Sequence, residues 1–103
     1  MTERSAFVLH VRPDRVEEYV EAHRSVWPEM LEALRDAGIR NYTIFRSGNE
    51  VFGYFESDDL DAAGAYLAEQ EVSSRWQDAM AELLERRVPD GGPPRLEEVF
   101  RLD

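Results

Sequence analysis

The sequence predicts one α+β domain in which four β-strands and two helical regions follow one another as β-α-β-β-α-β. Three observations carry that expectation. Runs rich in β-branched and aromatic residues alternate in character with a period of two; the stretches between them repeat apolar residues every three or four positions; and Gly/Pro clusters separate the two kinds of run. At 103 residues the chain has room for one core, so a single domain over 1–103 is expected.

The first strand is Ser5 to Arg12, with Phe7, Leu9 and Val11 on one face and Ala6, Val8 and His10 on the other. Pro13 stops it, and Asp14 with Glu17 three residues on has the form of a capping box. Val16, Tyr19, Val20, His23, Trp27, Met30, Leu31 and Leu34 then trace one helical face, and Gly38 stands where a C-terminal cap belongs. Pro28 lies inside this pattern without an N–H to give, so the helix bends or restarts there. Ile39–Arg46 and Glu50–Glu56 form an antiparallel pair around the turn Ser47-Gly48-Asn49. Asp58 or Asp59 caps a second helical region, with one stripe at Leu60, Ala63, Gly64 and Leu67 and another at Trp76, Met80, Leu83 and Leu84. The break between the stripes predicts two helical pieces, the second capped by Ser73 or Ser74. Val88 to Arg95, with Pro-Asp-Gly-Gly-Pro-Pro, is a loop. Leu96 to Leu102 is the fourth strand, with Leu96, Phe100 and Leu102 on one face and Val99 on the other.

This order defines the ferredoxin-like arrangement, an antiparallel four-stranded sheet with helices on one face. The strands are apolar on both faces, and one layer of helices covers only one of them. A homodimer in which two sheets face each other satisfies the other, with a pocket between sheet and helices or inside the paired sheets.

Composition removes several function classes. There is no cysteine, which excludes disulfides, thiolate nucleophiles and Cys-based metal sites; the two histidines, His10 and His23, have no ligand-like spacing, so no metal is expected. Twenty-two acidic residues against 12 basic ones give a formal charge of −10, a field that repels nucleic acid and anionic membranes. No apolar run reaches the ~20 residues of a membrane span, and the N-terminus lacks an apolar signal segment, so a cytoplasmic location is expected. Phosphate-cradling loops, nucleophile motifs and nucleotide fingerprints are missing from the sequence.

The chemistry-bearing candidate is His23, one helical turn from Tyr19, so the phenol and imidazole share the apolar face. An imidazole with an ordinary pKa of about 6.5 both gives and takes protons at neutral pH. Histidines on apolar faces also serve as packing residues with one satisfied nitrogen, and periodicity leaves both roles open. Tyr19, Tyr42 and Tyr54 offer phenols from a helix and two strands, and Trp27 and Trp76 offer platforms for the apolar face of a sugar; all five also make ordinary core residues. For His10, mid-strand, packing is the expected role.

The chain resembles the L-rhamnose mutarotase family. The resemblance rests on Ala6-Phe7-Val8, Pro13-Asp14, Glu17-Glu18-Tyr19, His23, Trp27-Pro28-Glu29, Gly38, Asn41-Tyr42, Val72, Arg75-Trp76 and the terminal Leu96-Glu97-Glu98-Val99-Phe100, and it runs nearly end to end. It implies a dimeric α/β barrel of ferredoxin-like subunits, no cofactor, a monosaccharide substrate, and interconversion of the α and β anomers of L-rhamnose or a related deoxy-sugar. By position it makes His23 the proton donor and Tyr19, Tyr42 and Trp76 sugar-binding residues. Gln77 stands where some members carry a second tryptophan, and it joins the substrate-binding set with an amide in place of an aromatic wall. Two other readings fit the fold: a cofactor-independent monooxygenase-like barrel acting on an aromatic ligand, and a non-enzymatic ligand-binding dimer.

Overall fold

The computed structural model describes residues 1–89 and 92–102. Its elements are β1 (Glu3–His10), a 3₁₀ turn (Pro13–Arg15), α1 (Val16–Arg24), α2 (Pro28–Asp36), β2 (Arg40–Ser47), β3 (Glu50–Ser57), α3 (Leu60–Ala68) and α4 (Glu71–Ala81). The helices start and stop for identifiable reasons. Pro28 opens α2 at its first turn, where a missing N–H costs nothing, so the expected break is a clean restart. Gly38 follows α2 with φ +87°, a left-handed backbone that a side chain resists. The Asp59 carboxylate accepts from the Ala62 N–H at 3.0 Å and caps α3.

Two caps differ from expectation. Pro13 begins a 3₁₀ turn that contains Asp14, so α1 opens only at Val16 and no side chain caps it. Glu71 and Val72 extend α4 upstream to a Gln70 start, which leaves Ser73 inside the helix and buried rather than at its cap.

The sheet is antiparallel with order β1-β3-β2. Gly48, at φ +61°, turns the tight hairpin between β2 and β3. A register shift between Arg40 and Thr43 bulges β2 at Asn41, whose φ is +53°. Phe7, Val51, Gly53 and Ser57 are buried on the face that meets the helices. The opposite face carries the cross-strand row Val8–Phe52–Phe45, of which Phe52 is 40% and Phe45 66% exposed.

The expected fourth strand does not form among the described residues: the sheet has three strands. Its place would be the free edge of β1. There Val11 bridges Leu84, the Arg12 N–H donates to Leu83, and Glu85 donates to His10. Farther along, one bond runs from the Leu96 N–H to Ala6 at 2.8 Å. Pro89, Pro93 and Pro94 in the connection have no N–H to add to a ladder. Val99, Phe100 and Leu102 remain exposed. The loop expected from Val88 to Arg95 is irregular where described, and its Asp90 and Gly91 lie outside the described residues.

Buried apolar residues fall into two clusters. One joins Val11, Tyr19, Met30, Val51, Trp76, Met80 and Leu84; the other joins Ala33, Ile39, Ala63 and Leu67. Leu34 and Val72 pack against both, and a cavity opens between them.

Candidate active site

His23 occupies the last turn of α1, just before the interruption that Pro28 enforces. Its Nδ1–H donates to the Tyr19 carbonyl at 2.9 Å, one helical turn back. A carbonyl only accepts, so this bond fixes the proton on Nδ1 and leaves the Nε2 lone pair available. The Tyr19 ring lies against the imidazole, centroids 4.3 Å apart, and the Trp76 indole meets it edge-on at 5.5 Å. Trp27 braces Trp76 in turn, at 5.1 Å and nearly perpendicular, and the Arg75 guanidinium sits 6.0 Å above the Trp27 ring.

The cavity measures about 420 Å³, within the usual range for small-molecule sites. His23, Tyr42, Trp76 and Gln77 all line it, so four of the five residues in the expected catalytic and substrate-binding set, which also includes Tyr19, converge on one space. Tyr19 stands behind His23 instead, buried, and borders a smaller adjoining void of about 50 Å³ that His23, Tyr42, Trp76 and Gln77 also touch. Tyr54 points to the other face of the sheet and donates to Glu56 at 2.6 Å; His10, exposed, pairs with Glu50 at 3.2 Å. Neither belongs to the cavity.

Electrostatics in the cavity follow from burial. Desolvation lowers the pKa of His23, only partly offset by the bond to Tyr19, so the imidazole rests neutral at pH 7. Burial pushes the Tyr19 phenol up to about 12. Tyr42 is 40% exposed overall, yet desolvation around its hydroxyl raises its pKa as well, with the nearby Tyr19 adding to the effect, so both phenols stay protonated. The cavity therefore presents one neutral base, the Tyr42 phenol, one amide and an indole wall, with the Tyr19 phenol bordering the smaller void behind.

Residues that local patterning did not single out complete the lining. Ser73 faces the cavity from α4, and Gly92, Pro93 and Arg95 enter from the C-terminal connection. Arg95 is held there by a 2.8 Å ion pair with Asp61 on α3. Among the described residues no group of three His, Asp or Glu side chains is arranged to hold a metal, and no helix is long and apolar enough to cross a membrane.

An antiparallel sheet backed by helices, with a half-buried neutral imidazole opening on an aromatic-walled cavity, defines a small-molecule site suited to acid–base chemistry. The model of the L-rhamnose mutarotase family matches residues 4–102. An L-rhamnose mutarotase of Bacillus subtilis is 38% identical over 104 residues, covering 97% of this chain and 98% of the relative. One from Oceanobacillus iheyensis is 33% identical over 103 residues, with the same coverage. The crystal structure of an L-rhamnose mutarotase from Formosa agariphila aligns with a TM-score of 0.77 at 33% identity, over 98% of this chain and 99% of that one. The chain belongs to the L-rhamnose mutarotase family, and it is an isomerase of the mutarotase type.

Proposed function

We propose that this enzyme interconverts the α and β anomers of L-rhamnose or a close deoxy-sugar relative, with His23 Nε2 as the proton-exchanging atom. The observation that carries the reading is the bond from His23 Nδ1 to the Tyr19 carbonyl, which leaves Nε2 unprotonated beside the cavity. Ring opening moves one proton from the anomeric hydroxyl to the ring oxygen, and both oxygens sit on C1. Neutral His23 takes the anomeric proton; the bond between C1 and the ring oxygen breaks as the C1 carbonyl forms; the imidazolium then donates the proton to the released ring oxygen. Rotation about the bond from C1 to C2 and the reverse transfers close the ring on the other face. His23 is thus the donor to the ring oxygen, having begun as a base, and it ends as it started.

Tyr42, Gln77 and Trp76 bind the sugar in this scheme: the phenol and amide meet hydroxyls, and the indole covers the apolar face. Tyr19 holds the catalytic ring through its backbone carbonyl and its ring face. The fold acts as one domain, works in the cytoplasm and requires no cofactor.

Saturation-transfer NMR of L-rhamnose with and without protein tests the activity, and unchanged anomer exchange would refute it. Because the neutral imidazole starts the cycle and its pKa is lowered, kcat/KM is expected to be level at neutral pH. It falls only as pH drops below 6.5 through the depressed His23 pKa. A profile that instead climbs toward acid would show that the imidazolium is the starting form.

The row Val8–Phe52–Phe45, with both phenylalanines exposed, supports a homodimer built on the outer face of the sheet, since apolar rows of this kind seek cover. Sedimentation is expected to give twice the chain mass of 11.9 kDa, and Phe45→Lys with Phe52→Lys to give the monomer. A wild-type monomer at micromolar concentration contradicts the dimer.

A further inference from the structure

The cavity outruns the groups that would handle an anomeric centre. His23, Trp76 and Gln77 stand toward the core cluster that contains Tyr19, on α1 and α4. In the other direction the walls are Ile39, just before β2, Leu60, Ala63 and Leu67 on α3, and Arg95, which pairs with Asp61 of α3. Three of these, Ile39, Ala63 and Leu67, belong to the second cluster. A pyranose placed with C1 at His23 Nε2 has C4 across the ring from C1, so C4 and its neighbour C5 point toward that second cluster. The Ile, Leu and Ala side chains of this wall have nothing to offer a hydroxyl, whereas they gain from any alkyl group that displaces water, and the Arg95 guanidinium beside them is already paired with Asp61.

Resting on the mutarotase reading above, we propose that the substrates of this enzyme include reducing 6-deoxypyranoses that carry a small apolar ether on C4, the alkyl group lodging among Ile39, Leu60, Ala63 and Leu67. The C5 methyl and the ether methyl then enter the same apolar chamber, while the anomeric end keeps its contacts with His23 and Trp76. Burying one methyl-sized group corresponds to about a fourfold preference.

Anomer exchange measured by saturation-transfer NMR on L-rhamnose and 4-O-methyl-L-rhamnose decides the matter, using wild type, Leu67→Phe and Ile39→Phe. The wild type is expected to exchange the methyl ether with kcat/KM about fourfold above that of the parent sugar. Either Phe variant fills the chamber and reverses the ratio between the two sugars, the parent sugar serving as the internal control for folding. Acceleration of L-rhamnose without acceleration of the ether overturns the inference and leaves the mutarotase reading standing. So does a wild-type preference for the parent sugar, or a ratio that neither variant moves. Acceleration of neither sugar by the wild type overturns the mutarotase reading itself.

Discussion

Replacing His23 by glutamine lowers the catalysed anomer-exchange rate by about 10²- to 10⁴-fold, the contribution of one positioned proton-transfer group. Glutamine reaches a similar distance and makes hydrogen bonds but does not titrate, so substrate affinity changes far less than turnover. The site predicts a graded series around this loss. Tyr19 touches His23 through its main-chain carbonyl at 2.9 Å and its ring face at 4.3 Å, and a phenylalanine supplies both. Tyr19→Phe is therefore expected to cost little, whereas Tyr42→Phe removes a phenol that lines the cavity and raises KM. Anomer exchange across a sugar titration measures all three. A His23→Gln enzyme at the wild-type rate, or a Tyr19→Phe loss as large as that of His23→Gln, contradicts the assignment.

Gly53→Ala is expected to destabilise the fold by about 1–3 kcal/mol, the usual cost of overpacking a core. Gly53 lies between Phe7 on β1 and Ile44 on β2 in the same cross-strand row. A Cβ built there would overlap the Phe7 ring. That ring has nowhere to retreat: it is 2% exposed, edge-on to Tyr42 at 6.2 Å and tilted against Phe55 at 6.3 Å. For a domain of this size each kcal/mol shifts the melting temperature by roughly 4–8 °C. Phe7→Leu removes the overlapped atoms, so the double variant is expected to lose less than the two single losses combined, which thermal unfolding of the four proteins would reveal. Additive losses would mean that Phe7 is not what excludes the methyl group.

Features that are local in sequence were legible in advance. Pro28 marked a bend or restart of the helix, Asp58 or Asp59 the next cap, Ser47-Gly48-Asn49 the hairpin, and helical spacing put His23 and Trp76 on inward faces. Their meeting across 5.5 Å was legible only through the family resemblance, because no periodicity relates α1 to α4. Leu96–Leu102 has the apolar alternation of a strand, but a strand also needs a partner edge. The edge of β1 is already bridged by Leu84, and the prolines before Leu96 add no donors. Asp14 and Ser73 are residue types that favour caps; which residue caps depended on where Pro13 and Glu71 set the first turn. Arg95 gave no local signal at all, since an ion pair with Asp61, 34 residues away, brings it to the cavity.

The two apolar clusters, bridged among the described residues by Leu34 and Val72, give the domain an interior divided by a cavity. A molecule seated between them supplies the missing middle of the core, and by mass action it stabilises the folded chain in proportion to the logarithm of its concentration. For a domain of 103 residues, with little burial to spare, the concentration of whatever molecule fills the cavity thereby becomes a determinant of how long each folded chain persists.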